Sequence, residues 1–167
     1  MKMIFRWFPN GDDSVTLRQI RQIPGVNGVA SCMPHIPVGE VWERDEILAI
    51  RDSINAAGLE LEVIESVNIH EDIKKGLPTR DRLIENYITT VKNLHEAGVR
   101  CICYNFMPVM DWARSRLDWP LADGSTAMGY EHELVLKMNP NTIADSLTKG
   151  SGGYSLPGWE PERFPRW

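Results

Sequence analysis

The chain has 167 residues, 43% of them hydrophobic and 25% charged, with 18 basic against 23 acidic side chains and a formal net charge of −5. That composition excludes a wholly disordered chain, and the acidic balance argues against nucleic acid or an anionic membrane as partner, though not against a local basic pocket. No run approaches the roughly 20 apolar residues a membrane span needs. Met1-Lys2-Met3-Ile4 is not followed by a secretory apolar region, so no signal peptide and a cytoplasmic location are expected.

In chain order, Met1–Phe8 is a short apolar run with strand character, and Val15–Ile23 a short helical stretch that Ser14 or Asp13 is placed to cap. Val26–Met33 reads as a second strand. Val41–Ala57 sets Ile47, Leu48, Ile50 or Arg51, and Ile54 near one helical face. Leu59–Val67 is a third strand. Arg80–Ala97 is the clearest helix, with Thr79 as N-cap and Ile84, Tyr87, Ile88, Val91 and Leu94 at three- and four-residue steps. Val99–Met107 is a fourth strand. Pro24-Gly25-Val26, Ala57-Gly58-Leu59 and Ala97-Gly98-Val99 each close a helix and open a strand, at spacings of 33 and 40 residues, the size of a βα unit. Strand and helix in this rhythm imply a parallel sheet with helical crossovers.

No GxGxxG or GxxxxGK[ST] phosphate loop follows the first strand, which ends Arg6-Trp7-Phe8-Pro9-Asn10-Gly11. The other home for repeated βα units is the eight-stranded TIM-type barrel of about 250 residues, of which this chain would supply half. The expected fold class is therefore α/β, with residues 1–115 forming four βα-type strands and crossover helices of a partial barrel. Residues 116–167 read as a long loop over 118–135, one or two short helices within Leu134–Leu147 signalled by Asn139-Pro140, and an irregular tail rich in Pro and Gly.

Sites in parallel βα folds form where strands end and loops begin. That rule selects Arg6-Trp7, His35, Glu65-Ser66 with His70-Glu71-Asp72, and Asn105 with Asp111-Trp112-Ala113-Arg114. Arg6 and Arg114 suit an anion clamp, because the guanidinium fork binds a carboxylate through two parallel hydrogen bonds. His35, Glu65 and His70 suit acid–base work; Asn105 and Trp112 suit hydrogen bonding or stacking. Each also has a plain structural alternative. Glu65 needs a partner if it is merely buried, His70-Glu71-Asp72 suits a helix N-terminus, His35 sits in a proline-ordered loop, Asn105 can satisfy backbone groups, and Trp112 can simply pack. His95 and His132 read as structural or solvated.

The chain's Cys32, Cys101 and Cys103 are an odd number, which does not suit a disulfide framework. Cys101-Ile-Cys103 places two thiols on one strand face. Either they form a metal or redox pair, or, the reading favoured here, they are buried thiols in a sheet. No compact metal-ligand set is legible.

The strings Phe5-Arg6-Trp7, Ile36-Pro37-Val38-Gly39-Glu40-Val41-Trp42, Val63-Ile64-Glu65-Ser66-Val67, His70-Glu71-Asp72-Ile73-Lys74 and Cys103-Tyr104-Asn105-Phe106-Met107-Pro108-Val109 with Asp111-Trp112 resemble those of the mannonate dehydratases. Asp123-Gly124-Ser125-Thr126 and Leu156-Pro157-Gly158-Trp159-Glu160 fit the same family, so the likeness runs through nearly the whole chain. The resemblance implies a barrel hydro-lyase of glucuronate breakdown. Such an enzyme converts D-mannonate, a small-molecule aldonate, to 2-dehydro-3-deoxy-D-gluconate with Mn²⁺ or Fe²⁺. It implies substrate-binding roles for Arg6, Glu65, His70, Asn105 and Trp112.

Family members are about twice this length. The resemblance therefore also implies a truncated chain, with the metal ligands and the catalytic His and Tyr in the half that is missing. Two other readings stand beside this one. In the first, the chain is a non-catalytic half-barrel whose open strand edges pair with a partner or with a second copy of itself as a homo-oligomer. In the second, it is a sugar isomerase or epimerase on a related barrel.

Overall fold

The computed structural model describes residues 1–9, 14–106 and 115–137. The chain divides into two compact units, Met1–Phe106 and Met107–Trp167.

In the first unit the elements run β1 (Met3–Arg6), α1 (Leu17–Arg21), β2 (Val26–Ser31), α2 (Arg44–Ala56), β3 (Glu60–Glu65), α3 (Glu71–Lys74), α4 (Arg80–Glu96) and β4 (Ile102–Cys103). The four strands form one sheet in the order β1-β2-β3-β4, every pairing parallel. That is the strand order of half an eight-stranded βα barrel.

The glycine punctuation behaves as its chemistry requires. Gly58 (φ +77°) and Gly98 (φ +91°) follow α2 and α4 in the left-handed region. The next amides reach back, Leu59 N–H to the Ile54 carbonyl (3.3 Å) and Val99 N–H to that of Leu94 (3.0 Å). This closes each helix in a Schellman motif and delivers the chain straight into the following strand.

Two apolar clusters glue helices to one face of the sheet. Ile20, Val26, Val29, Ile54 and Leu59 join α1 and α2 to β2. Met33, Trp42, Ile47, Ile64, Val67, Leu94, Ala97 and Val99 join α2 and α4 to β3. Fully burying a side chain such as Ile54 is worth roughly 1.5–3 kcal/mol.

Details depart from the sequence reading. The cap of α1 is Thr16, not Ser14 or Asp13 (Asp13 lies outside the described residues). Thr16 and Gln19 form a capping box in which Thr16 N–H donates to Gln19 Oε1 at 2.8 Å and Gln19 N–H to Thr16 Oγ1 at 3.3 Å. The T-x-x-Q pattern therefore starts the helix later. Thr79 does precede α4, but its hydroxyl donates to Asp72 Oδ2 (2.5 Å) rather than capping. The buried stripe of α4 is Leu83, Thr90 and Leu94 with half-buried Tyr87, whereas Ile84 and Ile88 are each 37% exposed. The helix is rotated because Thr90 turns inward to bond the chain before α2.

Cys101 and Cys103 are exposed free thiols, against the buried-thiol reading; Cys32 is buried. Ile102 faces the helices and is half-buried, so alternation puts its two neighbours on the opposite sheet face.

In the second unit, 118–135 is not one long loop. β5 (Arg116–Pro120) and β6 (Thr126–Gly129) form an antiparallel hairpin, followed by α5 (His132–Val135). Asp123 Oδ1 accepts from the Ser125 N–H (3.0 Å) and hydroxyl (2.7 Å), and Gly124 takes φ +84°, which together close the turn. Those bonds hold the Asp123 carboxyl below its ordinary range, the Ser125 hydroxyl acting most strongly and its amide next. The remainder of the helix expectation for 134–147 and the Pro/Gly tail lie outside the described residues.

Candidate functional site

Arg6 and Glu65 are the last residues of β1 and β3, and Asn105 follows β4 by two positions. All three therefore lie at the C-terminal edge of one parallel sheet. Register places Arg6 beside Ala30 and Ala30 beside Val63, two residues before Glu65; Glu65 in turn pairs with Cys103. Since Ile64 packs in the helix-side cluster, alternation puts Glu65 on the other face, together with Arg6.

The Arg6 guanidinium carbon lies 4.1 Å from the centroid of the Phe8 ring, a cation–π contact that steadies it. Among the described residues its side chain makes no ion pair. Glu65 is half-buried, and its side chain likewise has no hydrogen bond or ion pair among the described residues. The Cys103 thiol beside it is pushed up from its ordinary pKa, first by desolvation and then by Cys101 and Glu65, which keeps it neutral. Asn105 is exposed.

His70 begins the loop helix after β3. Its Nδ1 accepts the Asp72 N–H at 3.0 Å, making it the N-cap of α3. The structural alternative for this residue is thus realised, and the ring remains 24% exposed. The acids that follow are tied down locally. Glu71 pairs with Lys74 (2.8 Å), whose side chain is only 5% exposed, and Asp72 accepts the Thr79 hydroxyl. His35 lies exposed in the loop after β2, with Nε2 3.7 Å from Glu46 Oε2. Trp112 and Arg114 lie outside the described residues. His95 is exposed on α4, and His132 Nδ1 meets the Tyr130 hydroxyl at 2.8 Å in the second unit.

Sequence reasoning missed how the β2–α2 loop is pinned. Asn86 Nδ2 donates to the Gly39 carbonyl (2.8 Å), Thr90 Oγ1 accepts the Trp42 N–H (3.1 Å), and Asn93 Nδ2 donates to the Trp42 carbonyl (2.8 Å). Gly39, at φ +93°, lies so close to His70 that a Cβ there would meet the ring Cδ2 at 3.1 Å and Leu83 Cδ2 at 2.8 Å. Only glycine admits both that backbone conformation and that approach.

No group of three or more His, Cys, Asp or Glu side chains among the described residues is placed to hold a metal ion. The described residues therefore do not fit the divalent ion that the resemblance implies. No described helix is long and apolar enough to cross a membrane.

A parallel βα sheet with an arginine, a carboxylate and an amide at its C-terminal edge, and an imidazole in the loop beyond, defines an α/β protein with its candidate polar residues gathered at the strand ends. The comparisons make this specific. The family model for D-mannonate dehydratase (UxuA) matches residues 1–167, and the chain belongs to that family. The mannonate dehydratase of Thermotoga neapolitana is 55% identical over 166 residues, covering 99% of this chain and 46% of the relative. That of Lactococcus lactis subsp. cremoris is 55% identical over 164 residues, covering 98% and 46%. A crystal structure of mannonate dehydratase from Streptococcus suis serotype 2 matches with a TM-score of 0.80 at 47% identity, over 84% of this chain and 40% of that one. The chain thus spans under half the length of the curated relatives it matches.

Proposed function

We propose that this chain forms the substrate-binding wall of a mannonate dehydratase, taking D-mannonate as its ligand in hexuronate breakdown. The observation that carries the reading is the pairing of an open Arg6 fork with an unpartnered Glu65 carboxylate on one face of the sheet's C-terminal edge. In the overall reaction the C2 proton and the C3 hydroxyl leave as water, and the enol formed rearranges to the 2-keto acid. Negative charge grows on the carboxylate during C2 deprotonation, and a cation aimed there stabilises it. Arg6 suits that task. Glu65 suits a hydroxyl, and Asn105 and Trp112 suit the remaining oxygens and the carbon chain. The Mn²⁺ or Fe²⁺ expected for the family would supply further charge stabilisation, and none of these roles passes through it.

The test is an assay for the keto-deoxy acid with D-mannonate and Mn²⁺, run beside calorimetric titration of the same ligand. The proposal requires D-mannonate to bind and Glu65→Gln to weaken that binding. Absence of binding contradicts it. Product above the Glu65→Gln control would place a full catalytic set within these 167 residues.

A further inference from the structure

The loop after β3 fixes more than the position of His70; it fixes where the ring carries its proton. Nδ1 accepts the Asp72 amide at 3.0 Å, so its lone pair faces a donor, and in the neutral ring the proton resides on Nε2. The group that would favour the other tautomer is the Asp72 carboxylate. Its Oδ1 stands 3.7 Å from Nδ1, beyond hydrogen-bond reach, and its Oδ2 is taken by the Thr79 hydroxyl. The ring is also held in place. Gly39 packs against its Cδ2 edge, next to Nε2, and the Gly39 carbonyl is anchored by Asn86. Nε2 has no protein acceptor among the described residues, although the ring is three-quarters covered.

We infer that His70 is held as the Nε2–H tautomer and offers that N–H as a fixed donor to an oxygen of the aldonate. This narrows the acid–base role the sequence suggested. With Nδ1 committed to the cap, the free nitrogen presents a proton rather than a lone pair, so His70 positions an oxygen instead of abstracting a proton. The inference rests on the aldonate reading for its ligand but not for its tautomer.

The test separates the two. In the ¹⁵N-labelled 167-residue chain, two-bond ¹H–¹⁵N spectra of the His70 ring should show Nε2 protonated and Nδ1 bare. Adding D-mannonate should shift the Nε2–H resonance saturably. His70→Asn keeps a short side-chain acceptor at the cap position but removes the ring N–H; His70→Ala removes both. His70→Asn should bind D-mannonate about tenfold or more weakly, with an unfolding midpoint closer to wild type than that of His70→Ala. A ring protonated on Nδ1 overturns the inference whatever binds. Wild-type affinity in His70→Asn also overturns it, leaving His70 a cap alone. If D-mannonate shifts no resonance of the wild-type chain, the aldonate reading fails and the donor role with it, while the ring spectrum still decides the tautomer.

Discussion

Thr90 is completely buried in the middle of α4, and its Oγ1 accepts the buried Trp42 N–H at 3.1 Å. Thr90→Val keeps the side-chain shape and removes the acceptor. The amide of Trp42 then has no partner in a segment whose side chain is 5% exposed. Leaving a buried donor unsatisfied costs about 1–3 kcal/mol, whereas the near-equal volume leaves no cavity term. The expected loss is therefore about 2 kcal/mol, which in a chain of this size lowers Tm by about 4–8 °C. Thr90→Ser is the complementary variant, since it keeps the oxygen and deletes the methyl. Urea unfolding of both should show a lower midpoint at unchanged slope, and in Thr90→Val the Trp42 amide should exchange with solvent faster. A Thr90→Val variant within about 0.5 kcal/mol of wild type, with Trp42 exchange unaltered, would refute the claim that this bond pins the β2–α2 loop.

Further expectations concern other elements. Gly28→Ala should destabilise by more than about 1 kcal/mol, since a Cβ would sit 2.7 Å from both the Glu60 carbonyl oxygen and Glu62 Cγ, and the backbone of β3 cannot yield. Chemical denaturation measures it. Ser31→Ala should be neutral or stabilising in the same assay, because the Ser31 hydroxyl is buried without a hydrogen-bond partner among the described residues. The Asp123 turn should be acid-sensitive. Its carboxyl is depressed in the fold, so its contribution is present above the unfolded pKa and is lost as pH falls through the lower, folded one. Amide signals of 116–129 followed through that acid range should loosen in wild type, and Asp123→Ala should abolish the pH dependence.

Much of the first unit was legible because local rules and tertiary packing agree there. The glycines at 58 and 98 mark real Schellman closures, and Ile47 and Ile54 of α2 face the core as their spacing requires. Where two local signals competed, the reading slipped. Thr16 with Gln19 out-competed Ser14 because a reciprocal box satisfies two amides rather than one. Asp123-Gly124 was a hairpin signal passed over because only five residues separate the strands and each is short. The cysteines misled because free thiols are usually buried, and sequence does not say which face of β4 the helices cover. Arg6, Glu65 and Asn105 do lie at or just past strand ends, where the spacing of the apolar runs places them. The pins from Asn86, Thr90 and Asn93 were not legible, since each joins a side chain to a backbone group 47 to 51 positions away. No periodicity encodes such a bond. His70 shows both effects, for its cap was foreseeable from the acids that follow it, and its clamp by Gly39 was not.

The measurement that bears most directly on the central claim is calorimetric titration of the chain with D-mannonate against D-mannose, repeated with Arg6→Gln. The two ligands share their configuration at C2 to C5, but D-mannonate is an open chain ending in a carboxylate whereas D-mannose is mainly a pyranose ring, so the Arg6→Gln arm is what isolates the carboxylate's share. The account predicts that D-mannonate binds at least about tenfold more tightly than D-mannose, as a charge-assisted bidentate pair allows, and that Arg6→Gln removes most of that preference. Equal or tighter binding of the aldose would contradict the dehydratase reading and favour an isomerase or epimerase.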